Sequence, residues 1–288
     1  MASILVTGTS KGIGMAAALE LARAGHTVHA TMRNPDSAPE LTRRAKQEGL
    51  PISVSAMDVD SDAAVAAGIA AIEKAGGPLD VLVNNAGIEK RGSTEELPLA
   101  EVRAVMETNF FGALRCIQAV MPGMRTRQRG CIINVTSISG RLASSPLGAY
   151  AASKHALEAL TESLAQEAKM FNIRVAIVEP GIIDTAMAQR IGGAPDKSNY
   201  PHDRRMAGLF AAALKHPTSP ELVARKIREI VDSDSWQLRH PVGPDAAPFL
   251  QWRASMSDEQ WVDWGSAKDA AWYEAVQRDF GLDARLPE

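Results

Sequence analysis

The chain has 288 residues, 45% of them hydrophobic, and a formal net charge of -3. That length suits one large domain, or one domain with an extension, with apolar residues enough for a sizeable core. It offers no overall positive field, which makes nucleic acid a poor candidate partner. The two cysteines, Cys116 and Cys131, lie inside apolar runs and read as buried thiols, so a reducing compartment fits. No apolar run is long enough to cross a bilayer. Ile4–Val6, broken at once by Thr7 and Gly8, is too short for the hydrophobic region of a signal peptide. A cytoplasmic protein with no membrane partner is therefore expected. The histidines show no metal-ligand spacing, and no metal site is expected.

Short β-like runs alternate with helix-like stretches through the first two thirds. Strands are expected at Ser3–Thr7, Thr27–Met32, 52–57, 80–84, up to Val135, and at 173–178. Helices are expected at 12–24, around Arg43, Arg44 and Lys46, at 62–75, along a long stretch at 100–121 ending near Pro122, and at 148–170. This order predicts an α/β fold: a Rossmann-like, doubly wound parallel sheet with helices on both faces, in a single domain. Continuous apolar runs such as Ile4–Val6, Val81–Val83 and 173–178 fit strands covered on both sides. In such open sheets ligands bind beyond the C-terminal strand ends, so the segments after each strand carry the functional information.

After the first strand comes Gly8, Thr9, Ser10, Lys11, Gly12, Ile13 and Gly14. The spacing is G-x-x-x-G-x-G, not the commoner G-x-G-x-x-G. The logic is the same: a tight turn, close approach of backbone to a pyrophosphate, and free N–H groups at a helix start. After the second strand Arg33 stands where an NAD site would place a carboxylate for the ribose. With Lys11 it supplies two cations suited to a 2′-phosphate, favouring NADP(H) over NAD(H). Asp58 and Val59 follow the third strand. Asp58 reads either as an acceptor for an adenine amino group or as the cap of the next helix. Small residues at Asn85, Ala86 and Gly87 would let backbone lie against a cofactor.

Ser137 stands just past the strand ending at Val135. Tyr150 and Lys154, four apart on a helix, share one face. A hydroxyl, a phenol and an ammonium converging there invite acid–base chemistry, although a Tyr–Lys pair on a solvated helix remains open for this segment alone. A free phenol, with a pKa near ~10, is a poor base at neutral pH. A nearby ammonium and an oxidised nicotinamide should both pull it down. His155 points off that face, and Arg125, Arg127 and Arg129 read as a solvated basic loop.

The Thr7–Gly14 loop, the Asn84–Gly87 segment and the Ser137, Tyr150, Lys154 set, in this order along one βαβ chain, resemble the short-chain dehydrogenase/reductase family. The resemblance covers roughly residues 2–185. It implies Tyr150 as acid/base, Lys154 as ligand of the nicotinamide ribose, Ser137 as holder of the substrate oxygen, and Asn109 as support for a water leading from the lysine. It places Pro180, Gly181, Ile183 and Thr185 beside the nicotinamide, and matches Lys11 and Arg33 to NADP-preferring members. It also implies a homodimer or homotetramer. The resulting reading is an NADP(H)-dependent oxidoreductase interconverting a ketone and a secondary alcohol. An NAD-dependent, 3-oxoacyl- or sugar-directed reductase stands as the alternative, or a nucleotide-binding regulator without turnover.

Residues 182–216 read as irregular chain, with a loop at Gly192, Gly193, Ala194 and Pro195 and a helix at 204–214. Met187, Ile191, Met206, Leu209 and Phe210 would make an apolar lid over a hydrophobic or bulky substrate. A helix at 220–231 and a last strand at 236–238 would close the catalytic domain at 1–244. Residues 245–288 form a Trp-rich extension in which Ser257 and Gln260 make a capping box. Trp261, Trp264, Trp272 and Tyr273 are spaced to share a helical side. The extension would cover the pocket, pack on its own body or clasp a neighbouring subunit.

Overall fold

A computed structural model describes residues 1–194 and 197–286. The Pro195 end of the expected lid loop lies outside those residues. Seven parallel strands form one sheet in the order β3-β2-β1-β4-β5-β6-β7. They are β1 (Ser3–Thr7), β2 (Thr27–Met32), β3 (Ile52–Ala56), β4 (Val81–Asn84), β5 (Gly130–Val135), β6 (Ile173–Pro180) and β7 (Arg239–Val242). Because β1 pairs with both β2 and β4, the strand order reverses beside β1 and opens a crevice at its C-terminal end.

Alternate strand residues feed opposite faces. Cys131, Ile133 and Val135 of β5 join a core with α1 (Gly12–Arg23), α2 (Glu40–Glu48) and α9 (Pro220–Asp232). Ile132 joins the other core, with α3 (Asp62–Gly76), α5 (Gly112–Arg127) and α6 (Gly148–Lys169). Both cysteines are buried and free, and desolvation pushes Cys116 up to about 12 and Cys131 up to about 11. They are packing residues, not nucleophiles.

The long helix departs from its expected form twice. It runs as α4 (Leu99–Met106), a π-turn at Glu107–Phe111, and α5. It does not stop at Pro122 but continues through it to Arg127. An internal proline costs about 3 kcal/mol. Fully buried Met124 and the Arg127 Nη2 bond to the Leu79 carbonyl (2.7 Å) hold the last turn down. The expected basic loop is accordingly not one, since Arg125 and Arg127 are helical and Arg129 pairs with Asp80 at 2.5 Å. The final strand is Arg239–Val242 rather than 236–238. Pro241 is tolerated there because β7 is an edge strand with one side unpaired.

The lid and the extension build a third apolar cluster. Residues expected to be irregular contain α7 (Ala186–Ile191), capped by the Thr185 hydroxyl accepting from the Ala188 N–H, while α8 (His202–Ala213) stands where a helix is expected at 204–214. The extension is three helices: α10 (Ala246–Ala254), α11 (Asp258–Ser266), which opens on the expected capping box, and α12 (Asp269–Phe280). Trp261 and Trp264 therefore lie on a different helix from Trp272 and Tyr273. Arg205 of α8 ties the extension down. Its guanidinium donates to Asp269 (2.7 Å) and to the carbonyls of Gly265 (3.1 Å) and Ala267 (2.6 Å).

A buried ionic cluster joins α6, β6 and β7 behind the crevice. Glu179 is 0% exposed at the end of β6. Arg239 Nε lies 3.4 Å from it and Arg141 Nη1 3.6 Å, but neither carboxylate oxygen has a hydrogen-bond partner among the described residues. Arg239 also holds Glu158 at 3.0 Å and Glu162 at 2.5 Å. Burial, and then the neighbouring Glu158, push the Glu179 carboxyl from 4.5 up to about 7.

A methyl group on Gly208 would run into the Ala284 carbonyl, so Gly208→Ala is expected to unseat the end of the extension. The expected loss is about 1–3 kcal/mol, read as a lower melting temperature. A folded-state carboxyl pKa above its unfolded value means that Glu179 contributes stability below pH 4.5 that is lost as pH rises to about 7. Urea unfolding across that window should show wild type losing ground to Glu179→Gln as pH rises. A pH-independent difference would contradict this placement of the carboxyl.

Candidate active site

One cavity of about 740 Å³ opens at the C-terminal ends of the central strands. Gly8, Ser10, Lys11, Gly12, Ile13, Gly14, Arg33, Asp58, Val59, Asn85, Ala86 and Gly87 line one part of it. Pro180, Gly181, Ile183 and Thr185 line it beside Ser137, Tyr150 and Lys154. The structure thus brings together every one of these residues singled out from the sequence. Asn109 stands behind the wall, 1% exposed.

The glycine loop is shaped by the chain itself. Gly8 has φ +71°, and a Cβ on it would sit 2.6 Å from Ala86 Cα. A Cβ on Gly14 would strike the Asn85 amide and the Gly8 carbonyl. Asn85 Nδ2 donates to the Thr7 (2.9 Å) and Gly8 (3.1 Å) carbonyls, while Thr7 Oγ1 accepts from the N–H groups of Asn85 and Ala86 (both 3.1 Å). Thr7, at the head of the glycine loop, locks the two loops together through its side chain and carbonyl. No side chain caps α1 and its first turn holds no acid, so its N–H groups and positive dipole end face the cavity. Lys11 and Arg33 are exposed at the rim, and neither is ion-paired among the described residues. This donor set fits the phosphates of a dinucleotide. Asp58 does not cap α3. Ser61 does, and Asp58 accepts from the Asp60 N–H at 3.2 Å.

At the chemical end, Ser137 caps a single helical turn at Ile138–Gly140. Its Oγ accepts from the Ser139 N–H (3.1 Å), and its hydroxyl donates to the Pro180 carbonyl (3.4 Å). Tyr150 and Lys154 sit in the first two turns of α6. Lys154 is 4% exposed, and its Nζ donates to the Val135 carbonyl at 3.0 Å and lies 5.6 Å from the centre of the Tyr150 ring. Asn109 lies in the π-turn, a distortion that often marks functional sites. Its Oδ1 accepts from the Ile88 N–H (2.8 Å), and its Nδ2 donates to the Ile88 carbonyl and Ser153 Oγ (both 2.9 Å). Asn109 holds the Gly87–Ile88 backbone beside Lys154. His155 is exposed and bonds back to the Ala151 carbonyl, off this face.

The expected acidification of Tyr150 is not a property of the chain alone. Burial pushes the phenol up to about 12, opposed by a hydrogen bond with Ser137. Burial pushes Lys154 down to about 8. The lysine ammonium lies 5.6 Å from the ring centre, and burial is the largest influence on each group.

Met187, Ile191, Met206, Leu209 and Phe210 of the lid all reach the cavity, as do Phe249, Trp252, Trp261, Trp264 and Trp272 of the extension. Trp261 and Trp264 stack at 5.4 Å, and Trp252 meets both edge-on at 5.5 and 5.0 Å. Tyr150 and Trp264 both pack against the apolar cluster that contains Leu147, Ile191, Met206, Leu209 and Trp272. At the boundary, Asp245 Oδ2 accepts from the Ile182 N–H at 2.7 Å, so the start of the extension braces the Pro180–Gly181 segment. Single-strand periodicity gives no sign of these convergences, which depend on how the last helices fold back.

A family model described as short chain dehydrogenase matches residues 2–195. Retinol dehydrogenase 8 of Bos taurus is 35% identical over 266 residues, 88% of this chain and 85% of that protein. The crystal structure of a short-chain dehydrogenase from Streptomyces avermitilis superposes with a TM-score of 0.78 at 31% identity, covering 96% of this chain and 97% of the other. A metagenomic short-chain oxidoreductase solved in complex with NADP superposes with a TM-score of 0.67 at 26% identity, covering 84% of this chain and 96% of the other. With the nucleotide-loop geometry and the Ser–Tyr–Lys constellation in one crevice, these likenesses make the chain a member of the short-chain dehydrogenase/reductase family of oxidoreductases.

Proposed function

We propose that this protein is an NADP(H)-dependent oxidoreductase interconverting a bulky, apolar ketone and its secondary alcohol. One observation carries the reading. A single cavity joins a cation-bearing glycine loop, a Ser–Tyr–Lys set and a wall of lid and tryptophan side chains. The free α1 N-terminus and the Gly8–Gly14 backbone would hold the pyrophosphate. Lys11 and Arg33 would hold a 2′-phosphate, and Asp58 and Val59 would meet the adenine side. Asn85, Ala86 and Gly87, with Pro180, Gly181, Ile183 and Thr185, would flank the nicotinamide. The bound cofactor supplies or accepts the hydride. A relative named for retinol, an apolar primary alcohol, supports the apolar character of the substrate, and one named for a 17-beta-hydroxysteroid, a secondary alcohol, supports the ketone chemistry.

The chain's own residues handle the proton. Ser137 and Tyr150 donate hydrogen bonds to the carbonyl oxygen, where negative charge develops during reduction. Tyr150 then gives its phenolic proton to that oxygen, and takes it back in the oxidation direction. Lys154 lends a positive charge that favours the phenolate, the more so because water is excluded by the lid. Asn109 keeps the Gly87–Ile88 backbone and Lys154 in register. We further propose a homo-oligomer formed through the long-helix face, where Leu99 is 60% and Phe111 42% exposed.

Tyr150→Phe should lower kcat for ketone reduction at least ~100-fold while leaving NADPH affinity nearly unchanged, because only the proton donor is lost. Wild-type turnover would remove Tyr150 from the chemistry. Arg33→Asp should shift the kcat/KM preference from NADPH toward NADH by ~10-fold or more, the value of one charge-assisted phosphate contact. An unchanged ratio would take Arg33 out of the cofactor site.

A further inference from the structure

We propose that Glu158 is a positioning residue that keeps Lys154 charged, serving as its buried counter-charge and itself held by Thr136 and Arg239. This rests on the acid–base reading given above for the Tyr150–Lys154 pair.

The geometry is specific. Glu158 lies one helical turn after Lys154 on α6 and is 4% exposed. Both side chains reach the same strand end. Lys154 Nζ donates to the Val135 carbonyl (3.0 Å), and the neighbouring Thr136 hydroxyl donates to Glu158 Oε1 (2.7 Å). Arg239 Nη2 holds the second Glu158 oxygen at 3.0 Å. Gly140 makes the room, since a Cβ there would lie 2.8 Å from Glu158 Cγ and 3.3 Å from the Lys154 carbonyl. The carboxyl is thus fixed from a strand end, an edge strand and its own helix.

A buried ammonium without a counter-charge gives up its proton. Three other carboxylates lie in the region, each outside α6, and each, like Glu158 itself, faces an arginine. Glu89, from the β4 side, is bound to Arg190 at 3.2 Å. Glu179, from β6, lies 3.4 Å from Arg239 and 3.6 Å from Arg141. Glu107, on the π-turn beside Asn109, pairs with Arg115 at 2.5 Å. Glu158 alone among the described carboxylates shares both the helix face and the strand end with Lys154. Its field raises the lysine against the desolvation that holds it near 8. The same arrangement ties the helix bearing Tyr150 to the strand whose next residue, Pro180, receives the Ser137 hydroxyl.

The test is independent of turnover. The full chain, labelled with ¹⁵N-lysine, is titrated by NMR, with the Lys154 side-chain signal assigned by its loss in Lys154→Met. Glu158→Gln keeps the shape and the Thr136 contact but removes the charge. It should lower the Lys154 titration midpoint by about one pH unit, about a tenfold loss of proton affinity. Glu158→Asp, which retains the charge, should restore at least half of the shift. The Asp variant also serves if the Gln variant fails to fold, because retracting the carboxyl should still lower the midpoint measurably. An unchanged midpoint in whichever variant folds, or an equal fall in Gln and Asp variants, would overturn the proposal. Absence of ketone reduction with these midpoints as expected would instead count against the proposed reaction and leave the pairing standing.

Discussion

Burying a lysine is the constraint around which the site is built. An ammonium taken out of water must be paired, hydrogen-bonded or neutralised. Lys154 is 4% exposed with one backbone carbonyl on its head group. The surrounding structure reads as the answer to that problem. Asn109 fixes the loop beside it from a π-turn. Thr136 and Arg239 hold a carboxylate one turn away. The cost of that arrangement is visible in Glu179, whose carboxyl is crowded into the same low-dielectric region and driven toward neutrality.

A second consequence concerns the extension. In a doubly wound sheet the crevice is open on the side away from the strands, and water would reach the reacting atoms. Here α7 and α8 cover part of it. The extension supplies the missing mass, with four tryptophans and Phe249 facing the cavity. Arg205 bonds from each of its three nitrogens to the junction of α11 and α12, so lid and extension are joined as one body. Gly208 lets the chain end close over that body. The shape of the apolar wall is therefore set by residues remote from the Tyr150 helix in sequence.

Much of this was legible in the chain. Buried parallel strands show as continuous apolar runs, and the residues after them fall at the crevice by topology alone. That is why the glycine loop, Arg33, Asn85–Gly87 and the Ser137–Tyr150–Lys154 set were found and do converge. What escaped depends on long-range contacts. The helix through Pro122 survives because Met124 and Arg127 are anchored elsewhere. Pro241 sits in a strand because that strand is at an edge. The role of Thr7 emerges only when β4 is laid beside β1, and the burial that pushes the Tyr150 phenol up in the chain by itself emerges only from the packing around it. The Glu158–Arg239–Glu179 cluster joins residues spread over three elements, and no local pattern announces it.

The central claim is a direct hydride transfer in this cavity onto a bulky carbonyl carbon. It is tested most directly with NADPH deuterated at C4, on both faces of the ring, and a bulky aryl ketone such as 2-acetylnaphthalene, with the alcohol analysed by mass spectrometry. The account predicts one deuterium per molecule, bound to the carbinol carbon, in one enantiomer in excess. Alcohol formed without deuterium at that carbon, or no alcohol from any bulky ketone while small polar ketones are reduced, would contradict it.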